Sequence, residues 1–207
     1  YRCGSDIPLI TGIVAEPTQD MLRSLSAAAA SSGGVSMFHL AGVTPEAPLS
    51  RVGELQSTCV AALSLSVDDL LGELKPFAGC EGDVVSAICL GAPHYSLSQL
   101  TRLAKEVLSS AAGLEIPIYV TTSRYNLAQL QNTLQLGELR ARGIIFLVDA
   151  CSYYGQVIPK QTAAVMTDSA KWAYYAGGNL GVNAYLGSLE NCIETARLGR
   201  LVRGDRS

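Results

Sequence analysis

The chain has 207 residues, 48% apolar and 16% charged, with 15 Lys and Arg against 18 Asp and Glu for a net charge of −3. That apolar share supports a substantial core in one large domain or one and a half ordinary ones, and the acidic balance excludes the clustered basic face of a nucleic-acid binder. No run of about 18 apolar residues occurs, which excludes a transmembrane helix.

The opening Tyr1-Arg2-Cys3-Gly4-Ser5-Asp6 lacks the charged and apolar regions of a signal peptide and an initiator methionine, so the chain is expected to begin inside a longer product. Cys3, Cys59, Cys80, Cys89, Cys151 and Cys192 without a secretion signal read as reduced thiols of a cytoplasmic protein. A helix over Asp20–Ser31, closed by Gly33, includes the one low-complexity tract, Ala27–Ala30. The strand Val35–Leu40 follows and runs into Thr44-Pro45-Glu46; Pro45–Ser50 is the nearest thing to a linker. Ser66, ahead of Asp68 and Asp69, starts a helix reaching Lys75.

The strand Val84–Leu90 ends in Gly91-Ala92-Pro93-His94, and Ser96 with Gln99 forms a capping box for a helix to Ala112, closed by Gly113. A strand Ile116–Thr121 and a helix Tyr125–Gly137, with Gly137 as its cap, precede the strand Ile144–Val148, which ends in Asp149-Ala150-Cys151. The strand Ala163–Met166 leads to a helix Ser169–Tyr175. Gly177-Gly178-Asn179-Leu180-Gly181 reads as a turn, since it lacks the context of a P-loop or dinucleotide fingerprint. The strand Val182–Leu186 and a helix Ser188–Leu198, capped by Ser188 and carrying Cys192, complete the series. Arg197, Arg200, Arg203 and Arg206 at the end either complement the dipole of that helix or form a subunit contact.

Strands alternating with helices predict an α/β fold in three layers, αβα, with a mainly parallel sheet buried on both faces and right-handed crossovers. Ligands then bind at the carboxyl edge of the sheet, where His39–Glu46, Gly91–Ser96, Thr121–Arg124 and Asp149–Tyr154 should converge.

Several side chains there have two readings. Cys151 ends a strand and Cys192 lies early in a helix; they are too far apart for a local zinc knuckle, and are either two of three thiolates on an iron centre or core thiols. His39 and His94, the only histidines, are either proton-transfer groups or satisfied structural residues. Thr44 and Glu46 suit a helix start as well as a substrate contact. Ser169 and Lys171, at a helix N-terminus, form either a carboxylate site or a plain cap with a surface lysine. No nucleophile elbow supports a hydrolase triad.

Four segments, Phe38–Ala47, Leu90–Ser96, Asp149-Ala150-Cys151 and Met166–Trp172, occur in the order seen in the aconitase X family, which this chain resembles from about Pro8 to Gly199. The resemblance implies an aconitase-like fold and a dehydratase that uses iron, or an iron–sulfur cluster, as a Lewis acid. It implies Cys151 and Cys192 as metal ligands, His39 and His94 as catalytic groups, and Thr44, Glu46, Ser96, Ser169 and Lys171 as substrate contacts. Ala92, where part of the family has cysteine, cannot ligate iron and moves the expected substrate towards cis-3-hydroxy-L-proline and away from phosphomevalonate. The family usually has glycine in place of Ala170 and commonly a proline within Ala176-Gly177-Gly178. Residues 1–207 would form the C-terminal portion of the large catalytic region. The partners implied are a small carboxylate substrate, an upstream region with a third cysteine ligand, and a small swivelling domain or subunit with a serine base, without nucleic acid or membrane. The rival reading is a non-catalytic α/β subunit that binds a carboxylate or a partner.

Overall fold

Alternation of apolar side chains along buried strands sorts them between two cores. In a computed structural model that describes residues 6–131, 135–154, 157–159, 162 and 164–204, Ile88, Leu90, Ile118, Val120, Ile144 and Met166 face one core, while Ala87, Cys89, Tyr119 and Val165 face another. Successive strand side chains point to opposite faces, so each strand serves both layers. Cys3, Ala163 and Arg206 lie outside the described residues. The chain divides into two units, Tyr1–Glu73 and Leu74–Ser207.

The first unit holds β1 (Leu9–Ile10), α1 (Gln19–Gly33), β2 (His39–Leu40), α2 (Val52–Ser57) and α3 (Val67–Glu73). Thr18 caps α1 by accepting from the Met21 N–H at 3.2 Å. The left-handed residue closing α1 is Gly34, at φ +64°, one position beyond the expected Gly33. Ser66 and Asp69 satisfy one another at the start of α3, as the sequence indicated.

The expected strand Val35–Leu40 shrinks to His39–Leu40. It does not join the main sheet but pairs in parallel with β1, Leu9 opposite His39. A strand extends only as far as its ladder partner, and β1 offers two residues. Pro45–Ser50 lies inside this unit, whose boundary falls after Glu73.

The second unit contains β3 (Ala87–Tyr95), α4 (Leu97–Leu108), β4 (Ile118–Thr122), α5 (Arg124–Gln131), α6 (Gln135–Ala141), β5 (Ile144–Val148), β6 (Ala164–Thr167), α7 (Ala170–Leu180), β7 (Asn183–Leu186) and α8 (Leu189–Leu198). The sheet is parallel throughout, in the order β5-β4-β3-β6-β7. Leu100, Leu103 and Val107 of α4, Leu127 and Leu130 of α5, Leu136 and Leu139 of α6 and Ile193 of α8 cover one face. Trp172 and Ala176 of α7, with Ile158, cover the other. The three-layer α/β expectation therefore holds for this unit. Ser96 with Gln99 and Ser188 with Asn191 form complete capping boxes.

Four further glycines differ from expectation. Gly113 is no helix cap, because α4 closes at Ser109. Gly137 lies inside α6, where burial of Leu136 and Leu139 sustains the helix through it. Gly177 and Gly178 lie within α7 rather than in a turn; the buried face of Trp172, Ala173 and Ala176 outweighs a glycine cost of about 1 kcal/mol each. Gly181, at φ +66°, ends that helix.

Candidate functional site

Chain order and strand order together locate a crevice. From β3 the chain builds outwards through β4 to β5 and then crosses back to β6 on the other side of β3, so the winding reverses between β3 and β6. Open α/β sheets bind ligands outside the carboxyl ends of the strands at such a reversal. The segments there are Gly91–Tyr95, at the end of β3, and Thr167-Asp168-Ser169, between β6 and α7.

Side chains cross-link these two segments. The Tyr95 hydroxyl donates to Asp168 Oδ2, and the Ser169 hydroxyl donates to the Ala92 carbonyl. Ser169 Oγ also accepts from the Trp172 N–H at 3.1 Å and so caps α7. Burial raises the Asp168 carboxyl from 3.8 to about 6, opposed by hydrogen bonds from Tyr95 and the backbone and by the Arg102 charge. Burial first, then the Asp168 charge, holds the Tyr95 phenol well above its usual range. The Tyr95 carbonyl accepts from Thr122 Oγ1 at 2.7 Å and from Asn126 Nδ2 at 3.1 Å, fixing the end of β3 to β4 and α5.

The loop after β5 gathers further polar groups. His94 Nε2 lies 3.0 Å from the Ala150 carbonyl, which can only accept, so Nε2 carries a proton. Asp149 adopts φ +54° and ties the loop to α5, accepting from the Arg124 N–H at 3.0 Å and pairing with its guanidinium at 3.2 Å. The indole of Trp172 donates to Ser152 at 2.8 Å. Tyr153 stacks on Tyr175 at 5.4 Å, and Lys171 Nζ stands 5.9 Å from the Tyr153 ring centre, within cation–π range. Burial, then a hydrogen bond with Cys151, raises the Tyr153 phenol to about 12. His94, Cys151 and Lys171 are thus joined through one loop.

Cys192 is fully buried in the larger core; burial, followed by the charges of Asp168, Cys89 and Glu190, holds its thiol well above the usual range. Cys89, in the opposite core, is likewise raised by burial, with a hydrogen bond to Ser152 opposing. Cys151 is half-buried. Among the described residues no three His, Cys, Asp or Glu side chains gather as a metal group. Cys151 and Cys192 are thiols of the type that hold iron, and a centre built on them would need further ligands.

In the first unit, His39 Nδ1 lies 4.0 Å from Glu46 and makes no hydrogen bond among the described residues. Thr44 Oγ1 turns back on Leu40, accepting from its N–H at 3.1 Å. Ser96 is occupied as the cap of α4. Sequence reasoning missed Tyr95, Asp168 and Tyr153 as site-forming residues. The available signal was position, since Tyr95 ends β3, Asp168 directly follows β6, and Tyr153 lies in the loop after β5.

Residues 85–197 match the family pattern described as aconitase X third domain, and residues 1–70 the aconitase X second domain. The chain is 34% identical over 199 residues to a cis-3-hydroxy-L-proline dehydratase of Hypocrea jecorina, covering 93% of this chain and 33% of that protein. It is 30% identical to the cis-3-hydroxy-L-proline dehydratase of Pseudomonas aeruginosa, covering 98% and 35%, and 29% identical to the phosphomevalonate dehydratase large subunit of Methanothermobacter thermautotrophicus, covering 92% and 46%. The chain thus spans about a third to a half of the length of these relatives. A crystal structure of Thermococcus kodakaraensis aconitase X in its holo form superposes with a TM-score of 0.79 at 22% identity over 93% of this chain and 48% of that one. With more than half of its residues matched by one domain pattern and a second pattern before it, the chain belongs to the aconitase X family.

Proposed function

We propose that this chain forms part of the large catalytic region of a dehydratase that removes water from a small hydroxy acid, with cis-3-hydroxy-L-proline as first candidate and phosphomevalonate as second. The observation that carries it is the convergence of His94, Cys151 and Lys171 on the loop after β5, at the carboxyl edge of the sheet, in a chain that is 30 to 34% identical to two cis-3-hydroxy-L-proline dehydratases. Such a reaction needs an anchor for the carboxylate, an acceptor for the proton beside it, and release of the β-hydroxyl as water. The Lys171 ammonium at the start of α7 supplies the anchor. His94, held by its Nε2 against the Ala150 carbonyl, is the candidate proton acceptor. His39, Thr44, Glu46, Ser96 and Ser169 remain candidate contacts by family resemblance.

An iron or iron–sulfur centre would draw on Cys151 and Cys192 together with ligands from outside the chain. Its chemistry would be Lewis-acid activation of the leaving hydroxyl. The free thiols of Cys59 and Cys80 at the surface suit a reducing, cytoplasmic setting. A second reading is a subunit that binds a carboxylate at Lys171 without turning it over.

The test is an assay of the complete polypeptide that carries this chain, with iron content measured alongside. Turnover of cis-3-hydroxy-L-proline is expected, and Lys171→Met should weaken use of the carboxylate substrate by about 1.5–3 kcal/mol, the range for a hydrogen bond to a charged group. Unchanged kinetics would remove Lys171 from the site. Failure on both substrates would leave the binding subunit.

A further inference from the structure

The backbone ladder between β3 and β6 is short. It pairs Ala87 with Val165 and Ile88 with Met166 and goes no further, although β3 continues to Tyr95. On the other side, the register of β3 against β4 shifts between Leu90 and Tyr95. Gly91, at φ +92°, marks the departure, and a Cβ there would lie 2.2 Å from the Thr121 carbonyl oxygen. The tail of β3, which carries His94, is therefore not tied to β6 by backbone pairing. What joins it to the start of α7 are bonds that cross the crevice, Tyr95 to Asp168 and Ser169 to Ala92, with the Gly91 backbone also bonding the Asp168 carboxylate.

We propose that Tyr95 and Asp168 are positioning residues, whose hydrogen bond, together with that of Ser169, sets where Lys171 on α7 stands relative to His94 on β3. This rests on the dehydratase reading of the same crevice. Tyr95 is buried and Asp168 part-buried, and the Tyr95 hydroxyl is committed to the Asp168 carboxylate. Ser169 has its hydroxyl committed both as donor to Ala92 and as acceptor from Trp172, so it shapes the first turn of α7. Two anchoring points on one turn fix a direction as well as a distance, which a catalytic pair on separate elements requires.

The test uses Tyr95→Phe, which removes one hydroxyl and leaves the ring in its packing. In the complete polypeptide it should lower kcat for the hydroxy acid roughly ten-fold, the size of one hydrogen bond to a charged group. The double variant Tyr95→Phe with Asp168→Ala should lose no more than about the larger single loss, because each substitution removes the same hydrogen bond. A pair with only a structural role would lower the melting temperature and leave kcat and KM unchanged, and that result would overturn the proposal.

Amide hydrogen exchange on the 207-residue chain gives a readout independent of turnover. Tyr95→Phe should speed exchange at the Trp172 and Ala173 amides of the first turn of α7, and leave the β4–β5 ladder as it was. Uniform acceleration, or none, would also overturn the proposal. If the wild-type polypeptide has no activity, the dehydratase reading fails and the exchange pattern alone decides the tether. Wild-type turnover with an unimpaired Tyr95→Phe variant would defeat the tether alone.

Discussion

The Leu74–Ser207 unit buries long apolar side chains on both faces of its sheet, whereas in Tyr1–Glu73 the buried hydrophobic residues are Leu40 and Ala47 among those described. In the first unit Val14, Leu49, Val60 and Val67 are each at least 70% exposed, and no residue of the 15-residue α1 is buried. Yet α1 has both a threonine N-cap and a left-handed glycine C-cap. Local signals suffice to specify a helix, while burial gives it tertiary stability.

Core truncation should separate the two units most widely. Leu103→Ala, at a fully buried position, should cost the second unit about 2–5 kcal/mol in urea unfolding followed by the fluorescence of Trp172, the single tryptophan. Leu70→Ala, at a position 54% exposed, should change stability by less than about 0.5 kcal/mol. Comparable losses at the two positions would erase the contrast.

Gly91→Ala probes the weak point of the stronger unit. A side chain there meets the Thr121 carbonyl and must hold φ +92°, so the variant should lose more than about 2 kcal/mol by the same measurement. A near-neutral result would mean that the tail of β3 can move aside.

The same division governed what was legible in the sequence. Ile144–Val148 was read to the residue, and Ser96, Ser188 and Ser66 were read correctly as helix starts, because alternation and capping are local. The first-unit strand was overdrawn because pairing depends on a distant partner, here the two residues of β1. Gly177 and Gly178 were misread because the helix through them is held by the buried opposite face of α7, which the glycines themselves do not reveal. At the crevice, His94, Cys151 and Lys171 could be named from their strand-end positions. The Tyr95–Asp168 bond joins residues far apart in the chain, and it needed the strand order to become visible.

That buried carboxyl gives the second unit a pH dependence. Asp168 is raised from 3.8 to about 6, so between these values the folded state keeps a proton that the unfolded chain has already released. Its contribution is complete below about pH 4 and is lost as pH rises through 6, by about 3 kcal/mol in all. The groups facing it are Tyr95 on β3, Arg102 on α4 and Cys192 on α8. Asp168→Asn removes the titration while keeping an oxygen for the Tyr95 hydroxyl. The stability of the variant relative to wild type should therefore rise by up to about that amount between pH 4 and pH 7, measured by urea unfolding at each pH. Parallel wild-type and variant profiles would contradict the buried carboxyl.

The smallest effect isolates charge from packing. Arg102 pairs with Glu190 at 2.5 Å, but their side chains are 61% and 47% exposed, so the pair contributes less than about 1 kcal/mol. Arg102→Met keeps most of the apolar stem and removes the guanidinium, and unfolding at neutral pH should barely register it. The Arg102 charge also acts inwards, lowering both Asp168 and the Tyr95 phenol. Without it the Asp168 carboxyl should titrate higher still, which carbon-13 carboxyl resonances of the variant would follow directly. Salt should move wild type in the same direction, because an exposed cation is screened at an ionic strength that leaves the buried tyrosine–aspartate bond intact. If Arg102→Met leaves the Asp168 titration in place, then the field at the crevice is set by its buried groups alone.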